Sequence, residues 1–329
     1  MRTITLEEHF ASPAFLEGPG QGVKELAERR GFPDLIDQLS DIGDGRIALM
    51  DAAGIDVQVL SLTAPGVEQL DPGDAVAIAR DANDVLGEAV RRYPDRLAGF
   101  AALPTPAPEE AAAELERTVR EHGFTGAMIN GHTRGRYLDD PSFRPILERA
   151  EALGVPLYIH PTPPPQPVVD ASYGGFDPAI TNTLASAGWG WHIETATHVL
   201  RLIVGGAFDR YPNLQVAVGH MGEGLILMIP RFDQTLTPEI TGLNRPVSAY
   251  LRENVHYTFS GFNWTPAFLE LLLQVGVDRI MFSADHPYQP MRAARAFLDQ
   301  LPVSDADKER IAHGNAERLL QNLRRDRKT

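Results

Sequence analysis

Short, continuously apolar segments alternate with longer amphipathic segments along the chain, and this alternation repeats eight times. The predicted strands cover residues 3–8, 57–62, 97–102, 126–130, 156–160, 215–219, 255–259 and 279–283. Strands without polar alternation are typical of a parallel sheet that is covered by helices on both faces. Eight such units predict a closed (β/α)8 barrel, the TIM barrel, rather than an open doubly wound sheet.

The segments between the predicted strands carry apolar residues every three or four positions. Residues 75–92 and 108–121 show this helical period on a charged background. The connection after the first strand is longer than one unit needs, and helical patterns at 23–30 and 44–53 predict an inserted helical segment there. The proline- and glycine-rich stretch 161–190 predicts a second long connection, either a functional loop or a rigid surface turn.

The length and the charge of the chain limit its organisation and its partners. Its 329 residues would suffice for two average domains, but single α/β barrels reach this length, and we expect one domain over residues 1–329. The net charge is −14, so the chain lacks the basic surface that nucleic acids or anionic membranes require. The absence of cysteine excludes disulfides, thiolate metal sites and cysteine nucleophiles.

Other sequence features bear on location and cofactor. The opening MRTITLEEHF lacks the apolar core of a secretory signal, and no apolar run approaches the roughly 18 residues of a membrane span. We therefore expect a soluble, cytoplasmic protein that binds neither nucleic acid nor a membrane. No Gly-x-Gly-x-x-Gly sequence follows the first strand, which disfavours a dinucleotide-binding fold.

Ionisable side chains lie at the carboxyl ends of several predicted strands, where barrel enzymes place their active sites. Glu7 and His9 are two residues apart, so they point to the same face of the first strand, and both reach the barrel mouth if its odd positions face inward. His160 ends the fifth strand, and Asp285 follows the eighth. One glutamate, two histidines and one aspartate suit Zn²⁺, Mn²⁺ or a similar divalent ion in a catalytic site.

Each of these positions also has an ordinary structural interpretation. His160 alone is typical of a loop histidine, and Asp285 of an N-cap or Asx-turn residue. His220 ends the sixth strand, and Glu223 follows near the start of a predicted helix. His192 falls in a helical pattern and is interpreted as a helix residue. The convergence of several ionisable residues at strand ends favours the metal site over these separate interpretations.

Seven short motifs are spread over nearly the whole chain: LEEHFA, MDAAGIDVQVLSLT, GAMINGHT, PLYIHPTPP, VGHMGEGL, FSADHP and GNAERLL. Together they resemble the amidohydrolase superfamily. Within it the chain is similar to the branch of metal-dependent decarboxylases that includes 2-amino-3-carboxymuconate-6-semialdehyde decarboxylase. The likeness is greatest to γ-resorcylate and 2,3-dihydroxybenzoate decarboxylases.

The resemblance assigns roles to individual residues. It implies one divalent ion, Zn²⁺, Mn²⁺ or Mg²⁺, with four ligands: Glu7, His9, His160 and Asp285. It implies that Asp285, His220 and Glu223 are catalytic. In this assignment His220 and Glu223 handle protons beside the substrate. It also implies that Asn130 approaches the substrate and that the protein forms a homodimer or homotetramer.

Lysine usage gives a separate argument about the number of metal ions. Many binuclear members of the superfamily bridge two metals with a carbamylated lysine on the fourth strand. Here that strand ends in Asn130, and no lysine lies between Lys24 and Lys308. A lysine carbamate is therefore excluded from the barrel, which favours a mononuclear site.

The resemblance implies a carboxy-lyase that acts on a small aromatic acid of the 2-hydroxybenzoate type. C1 of the ring is protonated, with Asp285 as donor and His220 as the alternative, and CO2 then leaves. A second hypothesis is a metal-dependent hydrolase of a lactone or amide, in which Asp285 would act as general base. Hydrolase relatives typically carry His-x-His in place of Glu7-x-His9. A third hypothesis is a non-enzymatic binding barrel, which predicts no metal.

Overall fold

A single sheet of eight parallel strands forms the centre of the protein, and each strand pairs with the next one in the sequence. The computed structural model describes residues 1–320 and 323. The strands are β1 (Ile4–Phe10), β2 (Val57–Leu62), β3 (Leu97–Ala102), β4 (Gly126–Asn130), β5 (Leu157–His160), β6 (Val216–Val218), β7 (Val255–Thr258) and β8 (Ile280–Met281). The TIM-barrel prediction is confirmed, and the bounds of β2, β3 and β4 are those predicted.

The sheet closes into a barrel through irregular contacts between β8 and β1. Leu6 and Ser283 form one isolated parallel bridge, and the amide of Leu6 donates to the carbonyl of Phe282 at 3.3 Å. Further along, the amide of His9 donates to the carbonyl of His286 at 2.7 Å. The strand predicted at 279–283 is therefore only two residues long, because main-chain pairing beyond Met281 is replaced by these separate contacts.

Alternate side chains of the strands divide between two apolar cores, as the period of two requires. The inner core fills the barrel and includes Ile4, Leu6, Val59, Phe100, Met128, Tyr158, Ala217 and Met281. The outer core joins the other faces of the strands to the helices and includes Leu60, Ile129, Ile159, Val218 and Tyr257. Layers of inward side chains make the barrel a packed core, so a site can form only at its ends.

Helices occupy the connections between the strands, and four of them lie between β1 and β2. The α-helices are Pro13–Glu17, Gln21–Arg30, Leu35–Ser40, Asp44–Ala53, Pro72–Arg92, Pro108–Arg117, Arg144–Leu153, Gln166–Ser172, Pro178–Ala185, Gly190–Val204, Ala207–Arg210, Ile229–Thr235, Pro238–Thr241, Val247–Glu253, Thr265–Val275, Met291–Asp299, Asp305–Glu309 and Asn315–Leu319. The helix predicted at 108–121 ends as a π-helical turn, Thr118–His122.

The long connection predicted at 161–190 contains two short helices, Gln166–Ser172 and Pro178–Ala185. Among residues 1–320 and 323, no helix combines the length and the apolar character that crossing a bilayer requires. Residues 321–322 and 324–329 of the predicted domain lie outside the described part of the chain.

Candidate active site

A bulge in β1 decides which of its side chains enter the barrel. Ile4 and Leu6 belong to the inner core, so even positions face inward at the start of this strand. The pairing with β2 then gains an extra residue around Glu7, whose φ is +65°. Beyond the bulge, Glu7 and His9 are the inward residues. The condition that odd positions face inward is therefore met only from the bulge onward, because the bulge reverses the alternation of the strand.

The four residues predicted as metal ligands meet at the carboxyl ends of β1, β5 and β8. Nε2 of His9 lies 3.3 Å from Oδ1 of Asp285, and Nε2 of His160 lies 3.4 Å from Oε1 of Glu7. The two imidazole rings lie 4.8 Å apart and nearly perpendicular. Ligand atoms of Glu7, His9 and His160 all fall within 4.8 Å of one another. One cation could therefore contact these three side chains, and Asp285 lies next to one of them.

Burial controls the protonation of this group of four. Burial raises the pKa of the Glu7 carboxyl, against the opposing charge of His220, and raises that of Asp285 to about 7. Burial lowers the pKa of His9 to about 3 and holds that of His160 well below its ordinary value. Both imidazoles are consequently neutral, which is the form that binds a metal ion.

Several buried polar atoms of this group have no hydrogen-bond partner in the described part of the chain. They are Oε1 of Glu7, both ring nitrogens of His9 and Nδ1 of His160. Buried polar atoms are nearly always paired in native proteins, so these unpaired atoms point to a missing ligand. Imidazole nitrogens with carboxylate oxygens form a donor set that fits Zn²⁺ or Mn²⁺.

The second carboxylate oxygen of Glu7 is held in place by hydrogen bonds from side chains inside the barrel. The hydroxyls of Tyr158 and Ser260 both donate to Oε2 of Glu7, and Thr258 contacts Tyr158 at 2.6 Å. These bonds leave only Oε1 of Glu7 free to point at the neighbouring histidines. Hydrogen bonds of this kind orient metal ligands, and they come here from β5 and β7.

Glu8, on the opposite face of β1, fastens the loop that carries Asp285. Its Oε1 accepts from the amide of Ala284 at 2.8 Å, and its Oε2 accepts from the amide of His286 at 3.2 Å. The two amides flank Asp285 in sequence. The side chain of Gln58 also donates to Oε2 of Glu8 at 3.2 Å. A side-chain carboxylate thus replaces main-chain pairing at the barrel seam, and no sequence pattern indicated it.

Beside the metal-type group lies a second group, in which one carboxylate joins two imidazoles. Nδ1 of His220 lies 2.7 Å from Oε1 of Glu223, and Nδ1 of His192 lies 2.5 Å from its Oε2. His192 comes from the first turn of the helix Gly190–Val204. His192 is thus a helix residue, as interpreted from the sequence, but its contact with Glu223 was not predicted. Its sequence position carries no signal, since 31 residues separate it from Glu223.

The pair His220 and Glu223 is a buried ion pair. Burial raises the pKa of Glu223, but the positive charge of His220 and the N–H donors of both histidines outweigh it, so the pKa is lowered. Burial likewise lowers the pKa of His220, and the charges of Glu223 and Glu7 reverse this and raise it well above the ordinary value. Charge at this point is stabilised by the pairing and not by solvent.

A cavity of about 280 Å³ opens onto both groups. His160, His220 and Asp285 lie in its lining, and its other walls are largely aromatic: Phe32, Trp191, Phe262 and Tyr288. A small, mostly apolar cavity with a few convergent polar groups is typical of a site for a small organic molecule. Its flat walls suit an aromatic ring.

Asn130 lies beside His160, its partner in the pairing of β4 with β5. The main-chain amide of Asn130 donates to Oε1 of Glu68 at 2.7 Å. Its side chain is buried and does not line the cavity. Direct contact between Asn130 and a substrate therefore stays a prediction.

Comparisons with known proteins agree with this geometry. The family model described as amidohydrolase matches residues 36–321. The gamma-resorcylate decarboxylase of Rhizobium radiobacter is 40% identical, over 97% of this chain and 98% of that protein. The structure of 2,6-dihydroxybenzoate decarboxylase complexed with 2,6-dihydroxybenzoate is similar, with a TM-score of 0.87 and 37% identity over 98% of this chain and 99% of that one. The dihydroxybenzoic acid decarboxylase of Polaromonas sp. JS666, with bound manganese and the inhibitor 2-nitroresorcinol, gives a TM-score of 0.89 and 39% identity over 97% of each chain.

Gly219 offers a steric test of the orientation of Glu7. Its backbone has an ordinary extended conformation, but a Cβ at this position would lie 2.4 Å from Oε2 of Glu7 and 2.8 Å from Oγ of Ser260. We expect Gly219→Ala to displace the Glu7 carboxylate and to weaken Mn²⁺ binding by roughly tenfold or more, measured by isothermal titration calorimetry. The control is Gly73→Ala, where a Cβ meets nothing within 4 Å. Equal Mn²⁺ affinity in both variants would show that Glu7 is not held as described.

Proposed function

We propose that this chain, which belongs to the amidohydrolase family, is a metal-dependent, non-oxidative decarboxylase of 2-hydroxybenzoates such as γ-resorcylate. The observation that carries the proposal is the buried group Glu7, His9 and His160, with Asp285 3.3 Å from His9, beside a small cavity with aromatic walls. The full-length similarity to decarboxylases of dihydroxybenzoates supports the same reaction. A lactone or amide hydrolase is the alternative that the experiments below distinguish.

We assign Glu7, His9, His160 and Asp285 as the ligands of one divalent ion. The unpaired atoms of this group support the assignment, and the manganese in the Polaromonas structure supports the choice of ion. The second group could also hold a metal by its spacing, but its carboxylate already accepts hydrogen bonds from both imidazoles. When bound, the ion supplies Lewis-acid stabilisation and a template for the substrate's carboxylate and ortho oxygen.

The residues of the chain orient the substrate and supply the proton. The aromatic walls hold the ring in one plane, and burial excludes water from C1. Asp285 is the proposed proton donor. A carboxylate that binds a divalent ion has its pKa lowered, so this role requires that Asp285 detach from the ion while burial, which raises its pKa, still acts on it. The proton passes to C1, the bond from C1 to the carboxylate breaks, its electron pair restores the aromatic ring, and CO2 leaves.

His220 and Glu223 are proposed to balance charge beside the reacting ring. Imidazolium at His220 is stabilised by the buried Glu223 carboxylate, so positive charge persists next to an anionic substrate. His220 is also the alternative proton donor, because it is protonated near neutral pH. Preorganised charge in a site that excludes water contributes a large share of many enzymatic rate enhancements.

The chain is further proposed to act as one catalytic domain over residues 1–329 and to work in the cytoplasm. All eight strands belong to one sheet, which supports the single domain. We also propose a homodimer or homotetramer. Exposed apolar side chains support it, namely Leu227 on the turn Ile226–Met228 and Leu273 on the helix Thr265–Val275, which packs beside that turn. Contiguous exposed apolar surface is typical of an interface.

A panel of hydroxybenzoates distinguishes the decarboxylase from the hydrolase. Chelation needs a hydroxyl next to the carboxylate, so 2-hydroxybenzoates should release CO2, whereas 3- and 4-hydroxybenzoate should react slower by a factor on the order of 10⁴. CO2 release and the phenol product are measured for each acid, with simple lactones and amides assayed in parallel. Hydrolysis of a lactone or amide without CO2 release from any 2-hydroxybenzoate would replace the decarboxylase by the hydrolase.

The metal content tests the mononuclear site. We expect elemental analysis of the purified, Mn²⁺-saturated protein to give about one ion per chain, and His160→Ala to lose most of it, because one of four buried ligands is removed. His256→Ala is the matched control, a buried histidine that lies outside both groups of the site. Two tightly bound ions per chain at full activity would contradict the assignment.

Light scattering after size exclusion tests the oligomer. We expect a mass about two or four times that of the 36.1 kDa chain. Leu273→Asp should lower the mass to that of the monomer, because it places a charge in the interface. The control is Leu49→Asp, an exposed leucine on the helix Asp44–Ala53. A wild-type protein that elutes as a monomer at assay concentration would overturn this proposal.

A further inference from the structure

The carboxylate of Glu223 is buried and has both of its oxygens occupied by imidazole N–H groups. Nδ1 of His220 contacts one oxygen at 2.7 Å, and Nδ1 of His192 contacts the other at 2.5 Å. A carboxylate held at one oxygen can still rotate about its last side-chain bond. Held at both, it has a single orientation, and the ring it orients has one as well.

The carboxylate of Glu223 decides what Nδ1 of His192 carries. A carboxylate oxygen only accepts hydrogen bonds, so Nδ1, which faces it at 2.5 Å, must carry a proton. Nε2 of the same ring lies 3.2 Å from the indole nitrogen of Trp191 and 3.3 Å from the carbonyl oxygen of Ala187. His192 therefore donates to Glu223 from one side, and His220 donates to the same carboxylate from the other side.

His192 is placed to act on His220 without touching the metal-type group. Its ring lies 4.7 Å from the ring of His220, and Phe262 packs against both rings at 5.8 and 6.0 Å. His192 lines the same cavity as His220. It does not belong to the group formed by Glu7, His9 and His160. A change at His192 can therefore alter His220 while the metal ligands stay in place.

We propose that His192 is a positioning residue of the decarboxylation, which holds the carboxylate of Glu223 so that the His220 imidazole keeps one orientation toward the substrate. This inference rests on the proposed decarboxylase function. Without the His192 donor, Oε2 of Glu223 would be a buried acceptor lacking its partner, and the carboxylate would turn to find another. The ring of His220 would then lose its fixed direction, although its charge partner would remain.

Two substitutions of His192 separate hydrogen bonding from packing. His192→Phe keeps a ring against Phe262 and removes the N–H, and we expect kcat to fall roughly 10- to 100-fold. The Michaelis constant and the Mn²⁺ content should stay near those of the wild type. His192→Asn restores a donor close to the Nδ1 position and should recover most of the lost kcat. His313→Phe is the control for a histidine-to-phenylalanine change outside the site, where His313 pairs with Glu309.

A double-mutant cycle with Glu223→Gln tests whether His192 acts through Glu223. If it does, His192→Phe should change kcat by less than about twofold once Glu223 is already glutamine, because residues that act as a unit are not additive. Equal losses in the wild-type and Glu223→Gln backgrounds would overturn the proposal. So would a His192→Phe variant with wild-type kcat, or a His192→Asn variant as impaired as His192→Phe.

Proton NMR of the Zn²⁺-loaded protein with ¹⁵N-labelled histidine gives a measurement that does not depend on turnover. Two downfield imidazole N–H protons bonded to Nδ1 are expected, and His192→Phe should remove one of them while the His220 resonance shifts. Absence of the His192 resonance from the wild type would overturn the proposal even if the variants do not fold. If the resonances appear but no 2-hydroxybenzoate releases CO2, the hydrogen-bond arrangement stands and the decarboxylase assignment fails.

Discussion

Four ionisable side chains that are largely buried dominate the physics of this protein. Removing carboxylates and imidazoles from solvent is costly unless each finds a partner, and here Oε1 of Glu7 and the nitrogens of His9 find none within the described chain. The surroundings hold the other atoms of the same groups. Tyr158 and Ser260 bind the second oxygen of Glu7, and Glu8 binds the amides on either side of Asp285. The oxygen of Glu7 that stays unpaired is therefore the one that faces the histidines.

The two groups of ionisable residues divide the chemistry between them. In one group the imidazoles are neutral, and both nitrogens of His9 lack hydrogen-bond partners in the described chain. In the other, a carboxylate binds both imidazoles and stabilises positive charge on His220. Both groups contain two histidines and a glutamate, so the difference lies in what binds the glutamate. Hydroxyl groups bind Glu7, whereas the two imidazoles bind Glu223. Adjacent sites of like composition can therefore serve as an ion site and as a charge pair.

Much of the fold and of the candidate site follows from sequence periodicity. Eight apolar segments predict the barrel, and the barrel itself brings His160 and Asp285 into the lining of one cavity, because all strand ends meet at one rim. The bulge at Glu7 could not be predicted, since it is held by distant contacts with Tyr158 and Ser260. His192 was missed for the same reason, because its contacts with Glu223, His220 and Phe262 are all made with residues distant in sequence. The strand β8 is shorter than predicted because the side chain of Glu8 accepts hydrogen bonds from main-chain amides that would otherwise pair between strands.

The backbone of the site has a consequence for how such a protein can change. Five of the seven non-glycine residues with positive φ in the described chain belong to the site or support it: Glu7, His220, Glu223, Ser260 and Asp285. A conformation of this kind costs about 1–3 kcal/mol per residue. Glycine would relieve that cost at each position while deleting the side chain that works there. Selection for thermal stability alone would therefore favour glycine at these five positions and remove the site. Selection that also requires turnover must find its stabilising substitutions among the surrounding helices.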